Sequence, residues 1–131
     1  MITVAVGGVL YHGGQVLMGK RSARRSYAGR WDIIGGHVEA GESLEQALIR
    51  EFREEIDVRP TQFEHLAQFD DLHPDESPKY RYHVYVIRAW EGLPSNVSDE
   101  HDVLEWVSLS ELAQRDLATR EYVELFRDLH G

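Results

Sequence analysis

Apolar and polar positions follow different periods along the chain, and these periods predict where strands and helices lie. Residues 2–11 are rich in β-branched side chains, and the turn sequence His12-Gly13-Gly14 separates them from a second apolar run over residues 15–18. This pattern predicts a β-hairpin. Further strands are predicted over residues 31–34, 63–69, 80–90 and 104–107. Polar loops are predicted over residues 22–30, 70–79 and 93–102.

The apolar period becomes helical after Gly41. Ser43 and Gln46 have the spacing of a capping box, which predicts a helix from Leu44 to Ile56. Thr119 is the predicted N-cap of a last amphipathic helix. Because strands and helices alternate, we expect an α+β fold, with a mixed β-sheet sandwiched between helices. The length predicts a single domain over residues 1–131.

Composition excludes several classes of protein. Apolar residues make up 42% of the chain, but no apolar run is long enough to span a membrane. The first residues lack the basic segment of a signal peptide, so we expect a cytoplasmic protein without membrane association. The absence of Cys excludes disulfides, a thiolate zinc site and a cysteine nucleophile.

Charge is unevenly distributed. The net charge of −9 argues against binding to duplex nucleic acid, which requires a basic face. Five of the 14 basic residues lie within residues 20–30, and seven of the 23 acidic residues lie within residues 39–57. Any function assigned to the protein has to account for the basic segment 20–30 and the acidic segment 39–57 that follows it.

The acidic residues of the first predicted helix do not all lie on its polar face. Its apolar stripe consists of Leu44, Ala47, Leu48 and Phe52. On a helical projection, Glu51 and Glu55 fall within this stripe and Glu54 lies at its edge. Three hypotheses remain open: the last turn is solvated, arginines of the same helix neutralise the acids, or a divalent cation such as Mg²⁺ binds them.

The surrounding sequence resembles the Nudix box, the loop–helix–loop motif of the Nudix hydrolase family. The motif runs from Gly36 to Val58, and the matching positions are Gly36, Glu42, Arg50, Glu51, Glu54 and Glu55. Two positions depart from the family pattern, since Phe52 replaces an aliphatic residue and Asp57 replaces a glycine. Asp tolerates the left-handed backbone better than most residues, so the helix can still end there.

The resemblance implies a Nudix fold and metal-dependent hydrolysis of a nucleoside diphosphate linked to another group. It implies Mg²⁺ as the cofactor, with Mn²⁺ as the alternative. It also implies that the carbonyl of Gly36 and the carboxylates of Glu51, Glu54 and Glu55 bind the metal. Glu42 is expected to pair with Arg50 and so to fix the loop.

The general base and the phosphate contacts are less defined by the motif. Glu51 or Glu55 could orient the attacking water, and Glu100 is the best candidate from a later loop. Arg21 and Arg30 flank predicted strands and are our candidates for binding substrate phosphates, because arginine makes bidentate phosphate contacts. The alternative is a solvated basic loop.

The substrate that we expect is a nucleoside triphosphate, hydrolysed to a monophosphate and pyrophosphate by a monomer or homodimer. ADP-ribose or a dinucleotide is the second candidate, since Pro74 resembles a weak marker of that subgroup. A catalytically silent domain that senses a nucleotide is the third. Several aromatic residues could either stack on a base or fill the core: Tyr11, Tyr27, Phe69, Tyr80 and Tyr82.

Overall fold

A computed structural model of the chain describes residues 1–25, 27–72 and 78–130, with the backbone alone at Leu72. Strands and helices follow one another along these ranges. In chain order they are β1 (Thr3–His12), β2 (Gln15–Arg21), β3 (Trp31–Asp32), β4 (Ile34–His37), α1 (Leu44–Ile56), β5 (Arg59–Leu72), β6 (Pro78–Glu91), β7 (His101–Ser108), a 3₁₀ turn (Leu112–Gln114) and α2 (Glu121–Phe126). No helix in the described part of the chain is both long and apolar enough to cross a membrane.

The strands form one mixed sheet in the order β3-β2-β1-β6-β5, with β4 also beside β1 and β7 also beside β2. Strands β1 and β6 are parallel, and the other strand pairs are antiparallel. The predicted hairpin of β1 and β2 is confirmed. It turns at Gly13 and Gly14, both at positive φ, which glycine adopts without a Cβ clash.

Helices α1 and α2 cover opposite faces of the sheet, and β1 shows why. Its side chains alternate, so that Val6 and Leu10 pack in the cluster beneath α1 while Val9 and Tyr11 pack in the cluster beneath α2. The expected α+β fold, a mixed sheet between helices, is therefore confirmed.

Helix α1 has the predicted bounds and the predicted capping box. Ser43 Oγ accepts the N–H of Gln46 at 3.1 Å, and the Gln46 side chain accepts the N–H of Ser43 at 2.9 Å. Asp57 ends the helix in the left-handed conformation, with φ of 60°, and its N–H donates to the carbonyl of Arg53. The replacement of the family glycine by Asp57 is thus compatible with this helix end.

Three local predictions were wrong. The strand expected over residues 31–34 is divided at Ile33, because β3 pairs with β2 whereas β4 pairs with β1. The loop expected over residues 70–79 is shorter, since an ion pair between Asp70 and Arg81 lies within the extended pairing of β5 and β6. The N-cap of α2 is Arg120, although the Oγ1 of Thr119 accepts the N–H of Glu121 at 3.3 Å.

Packing rather than helix propensity should stabilise the six-residue α2. The Phe126 side chain is fully buried and stacks on the Tyr122 ring at a centroid distance of 5.8 Å. We expect Phe126→Ala to lower the free energy of unfolding by about 3–5 kcal/mol, measured by urea denaturation. Leu93→Ala, at a side chain that is 86% exposed, should change it by less than about 0.5 kcal/mol. Similar losses in both variants would contradict this account of α2.

The ion pair between Asp70 and Arg81 should make stability depend on pH. Hydrogen bonds from Arg81 lower the pKa of Asp70 below its ordinary value, so the folded state binds this proton less readily than the unfolded state. The ion pair therefore stabilises the folded state at pH values above the ordinary pKa of Asp. This stabilisation is lost as the pH falls through the lower pKa that Asp70 has in the folded state. The stability difference between wild type and Asp70→Asn should therefore shrink between about pH 7 and about pH 3, measured by urea denaturation. A difference that grew on acidification would contradict this sign.

Candidate active site

The three acidic residues of α1 have different surroundings. The Glu54 side chain is 59% exposed, that of Glu51 is 14% exposed and that of Glu55 is 4% exposed. Glu51 and Glu55 therefore lie on the buried side of the helix, where the helical projection placed them. The hypothesis of a solvated last turn fits Glu54 alone.

Arg50 connects the helix to the preceding loop. Its guanidinium lies 3.0 Å from Glu51 Oε1 and 3.4 Å from Glu54 Oε2, and it donates to the carbonyl oxygen of His37 at 3.0 Å. Two of its nitrogens also contact the Glu42 carboxylate, at 2.7 and 2.9 Å. Arg50 thus joins the end of β4, the loop and α1, and it partly neutralises Glu51 and Glu54.

Glu42 is fixed by this contact. Hydrogen bonds from Arg50, with a smaller contribution from the N–H of Glu39, lower the pKa of Glu42 to about 2. The carboxylate is therefore charged at neutral pH. The ion pair that the motif implies between Glu42 and Arg50 is present. Glu42 also accepts the N–H of Glu39, so it holds the loop against α1.

Glu55 is buried against His101, the first residue of β7. His101 Nε2 lies 3.3 Å from Glu55 Oε1, while Glu55 Oε2 is buried without a hydrogen-bond partner. Burial raises the pKa of Glu55, and the neighbouring carboxyls of Glu51 and Glu100 raise it further. Burial also lowers the pKa of His101 to about 4, so its imidazole is neutral near pH 7.

Gly36 lies directly against Glu51. A Cβ atom at Gly36 would lie 2.5 Å from Glu51 Oε1, so any larger residue would displace that carboxylate. Among the described residues, no three acidic or histidine side chains already enclose a metal position. Nevertheless, the oxygen donors of Gly36, Glu51 and Glu55 suit a hard divalent cation, and the unpartnered Oε2 of Glu55 is free to bind one. These residues fit the metal that the motif implies.

A cavity of about 970 Å³ brings the acidic residues and part of the basic loop together. Glu51, Glu55 and Glu100 line it, as do Arg21 and Arg25. Arg21 also donates to the Asp32 carboxylate at 3.1 Å, and Arg25 lies 3.1 Å from Glu100.

Arg30 lies elsewhere than Arg21 and Arg25. It is exposed, 3.9 Å from Asp116, with its guanidinium near the Tyr27 ring, and it does not contribute to the described lining of the cavity. The sequence favoured Arg21 and Arg30 for phosphate binding, and of these two only Arg21 lines the cavity with the acidic residues. The structure adds Arg25, which belongs to the same basic segment.

Aromatic residues form one wall of the same cavity. The Phe69 and Tyr82 rings stack at 5.2 Å, and the Tyr80 ring continues the stack at 5.9 Å from Tyr82. Tyr27 also lines the cavity, whereas Tyr11 lies in the core beneath α2. The sequence could not divide these aromatics between cavity and core.

Asp32 and His101 are two cavity residues that sequence reasoning missed. Asp32 accepts hydrogen bonds from the Tyr122 hydroxyl and Arg21, and burial raises its pKa. His101 is 46 positions from Glu55, so no spacing pattern connects the two. The only signal in the sequence for Asp32 is that this acidic residue lies between Trp31 and Ile33 in a predicted apolar strand. Pro74 lies outside the described residues.

Comparison with known proteins assigns the family. The model of the NUDIX domain matches residues 1–129. The chain is 33% identical to the CTP pyrophosphohydrolase of Escherichia coli (strain K12), covering 86% of this chain and 81% of that protein. It is 28% identical to the 8-oxo-dGTP diphosphatase of the same organism, covering 82% of this chain and 81% of that protein.

A solved structure gives the same result for the whole fold. The crystal structure of a MutT NUDIX hydrolase from Burkholderia pseudomallei superposes with a TM-score of 0.84 at 31% identity, covering 95% of this chain and 98% of that one. The Nudix resemblance of the motif, the fold and all three comparisons therefore agree. The chain belongs to the Nudix hydrolase family.

Proposed function

We propose that this enzyme hydrolyses the diphosphate linkage of a nucleoside triphosphate, or of a related nucleoside diphosphate derivative, with Mg²⁺ as the cofactor. The products are a nucleoside monophosphate and pyrophosphate. The observation that carries the proposal is the unpartnered Oε2 of Glu55, buried beside a cavity that Arg21 and Arg25 also line. Two relatives support the substrate class, since their names specify CTP and 8-oxo-dGTP.

The residues that would hold the cation are Gly36, Glu51, Glu54 and Glu55. A bound divalent cation would neutralise phosphate charge and make water a stronger acid. Glu54 reaches this group only if its carboxylate leaves Arg50, which it contacts at 3.4 Å as the i+4 partner on the exposed side of α1. Such a surface pair is weak, about 0.3–0.5 kcal/mol, so substrate and cation can readily displace it.

Arg21 and Arg25, which line the same cavity, would bind the phosphates. Both arginines now contact carboxylates, so a phosphate would compete with Asp32 for Arg21 and with Asp99 and Glu100 for Arg25. Guanidinium groups are suited to this exchange, because they make similar bidentate contacts with carboxylate and phosphate.

The reaction requires a group that orients water and accepts its proton. The water oxygen attacks a phosphorus of the diphosphate, the P–O bond to the bridging oxygen breaks, and the bridging oxygen leaves with one of the two products. Glu51, Glu55 and Glu100 are the candidate bases, and all three line the cavity. When a phosphate takes Arg25, Glu100 loses a cationic partner at 3.1 Å and becomes available to the water.

The base of the nucleotide would lie against the aromatic wall of Phe69, Tyr80 and Tyr82. Stacked rings offer a flat apolar surface that tolerates any base, so this wall supplies affinity rather than selectivity. We expect the enzyme to act in the cytoplasm as a monomer or homodimer.

A product-resolved substrate screen tests the reaction. Incubation with Mg²⁺ and CTP, dGTP, 8-oxo-dGTP or ADP-ribose should yield a monophosphate and pyrophosphate from at least one triphosphate, with a higher kcat/KM than for ADP-ribose. Chromatography of the nucleotides and an assay that separates pyrophosphate from orthophosphate identify the products. Efficient release of AMP and ribose phosphate from ADP-ribose would instead favour the dinucleotide-like substrates. Tight nucleotide binding without turnover would identify a sensor.

Substitution of the helix carboxylates tests the assigned residues. Glu54→Gln and Glu55→Gln should each lower kcat/KM about 100-fold or more, the scale expected for loss of one preorganised charged group. Glu45→Gln is the matched control, because Glu45 is an exposed acid in the first turn of the same helix. It should retain nearly full activity.

Urea denaturation distinguishes lost chemistry from lost folding in these variants. The midpoint of Glu55→Gln should equal or exceed that of wild type, since the neutral amide removes the cost of burying a group that is ionised in the unfolded protein. Wild-type activity in both Glu54→Gln and Glu55→Gln would overturn the assignment of the cation site.

A further inference from the structure

His101 is one of the few polar residues in the described structure that is almost fully buried, with 4% exposure. It begins β7 and pairs with Arg21 of β2 across an irregularity in the ladder. Its side chain reaches α1, where Nε2 lies 3.3 Å from Glu55 Oε1. A contact between a strand and a helix residue 46 positions away requires the whole fold to be in place.

Three features fix the His101 ring. Gly19 of β2 lies behind it, and a Cβ at that position would approach the ring Nδ1 to 2.4 Å, so the imidazole occupies the space of the missing side chain. Asn96 Nδ2 donates to the carbonyl oxygen of His101 at 2.8 Å and holds the backbone. The pairing of β2 and β7 sets the direction of approach.

The contact leaves the two oxygens of Glu55 in different states. His101 Nε2 lies within hydrogen-bond distance of Oε1, at 3.3 Å, and donates to it in the tautomer that carries the proton on Nε2, whereas Oε2 has no hydrogen-bond partner. A carboxylate without a second contact could rotate about its last bond, but the hydrogen bond to His101 selects one orientation. Oε2 then remains available to a cation.

We propose that His101 is a positioning residue that orients the Glu55 carboxylate so that Oε2 can bind the divalent cation. The inference rests on the proposed role of Glu55 as a metal ligand. It names a hydrogen-bond donor behind that ligand, where outer partners commonly change metal affinity by 10- to 100-fold.

A purely structural role for His101 makes a different prediction. If the imidazole only fills space above Gly19, its replacement changes stability and leaves cation affinity unchanged once the protein is folded. If it orients Glu55, the loss of the N–H donor weakens cation binding even in variants with wild-type stability.

His101→Gln and His101→Asn provide a matched pair, since both carry an amide donor. The Gln amide reaches the position of Nε2, whereas the Asn amide reaches only that of Nδ1. We expect His101→Asn to weaken Mn²⁺ binding to the nucleotide-free protein about tenfold, and His101→Gln to stay within about threefold of wild type. Electron paramagnetic resonance titration with Mn²⁺ alone measures this affinity, and urea denaturation checks folding.

The metal dependence of turnover gives a second readout. The Mg²⁺ concentration for half-maximal activity should rise in His101→Asn in parallel with the Mn²⁺ dissociation constant. If His101→Asn does not fold, His101→Met replaces it, because Met fills a similar volume without a donor and should weaken Mn²⁺ binding to the same extent.

Wild-type Mn²⁺ affinity in the folded Asn or Met variant would overturn the proposal, as would the absence of Mn²⁺ binding by the wild-type protein. Equal weakening in His101→Gln and His101→Asn would also overturn it, since the position of the donor would then be irrelevant. A wild-type protein that binds Mn²⁺ in a His101-dependent manner but cleaves no nucleotide would refute the proposed function and leave this inference standing. Nucleotide cleavage with His101-independent Mn²⁺ binding would do the reverse.

Discussion

The contacts of Arg50 are the interaction on which the site depends. One guanidinium joins Glu42 of the loop, the carbonyl of His37 and the carboxylates of Glu51 and Glu54. It therefore sets the distance between the end of β4 and α1 and also compensates part of the negative charge collected there. Without such a cation, several carboxylates beside a partly buried helix face would repel one another and destabilise the fold.

Glu55 is the exception to this compensation. Its side chain is buried, one oxygen contacts His101 and the other has no hydrogen-bond partner, so the fold bears the cost of an unsatisfied polar atom. Proteins keep such costs mainly at functional sites, where a ligand supplies the missing partner. Glu55 is thus both a residue of the Nudix motif and the residue with the unsatisfied oxygen.

The net charge of −9 gives a misleading picture of the cavity. Acidic residues of α1 and arginines of the basic loop line the same space, so the local field depends on what is bound. A divalent cation at the carboxylates would leave Arg21 and Arg25 as cationic partners for phosphate. The basic segment and the acidic segment, which are adjacent in sequence, thus both contribute to the lining of one cavity.

The sequence by itself determined helix α1 with its capping box, the hairpin and the pairing of Glu42 with Arg50, because these features depend on residues close together in the chain. It also determined the family, because the Nudix motif has a fixed spacing. Residues 70–72 and 78–79 resemble a loop in sequence because of Asp70, Asp71 and Pro78, and only the pairing between β5 and β6 makes them part of strands. Tertiary structure alone decided that Arg25 rather than Arg30 lines the cavity, that Asp32 faces it and that His101 meets Glu55. Such contacts join residues far apart in the chain, and the pairing of separate strands that brings them together cannot be read from the local spacing of residues.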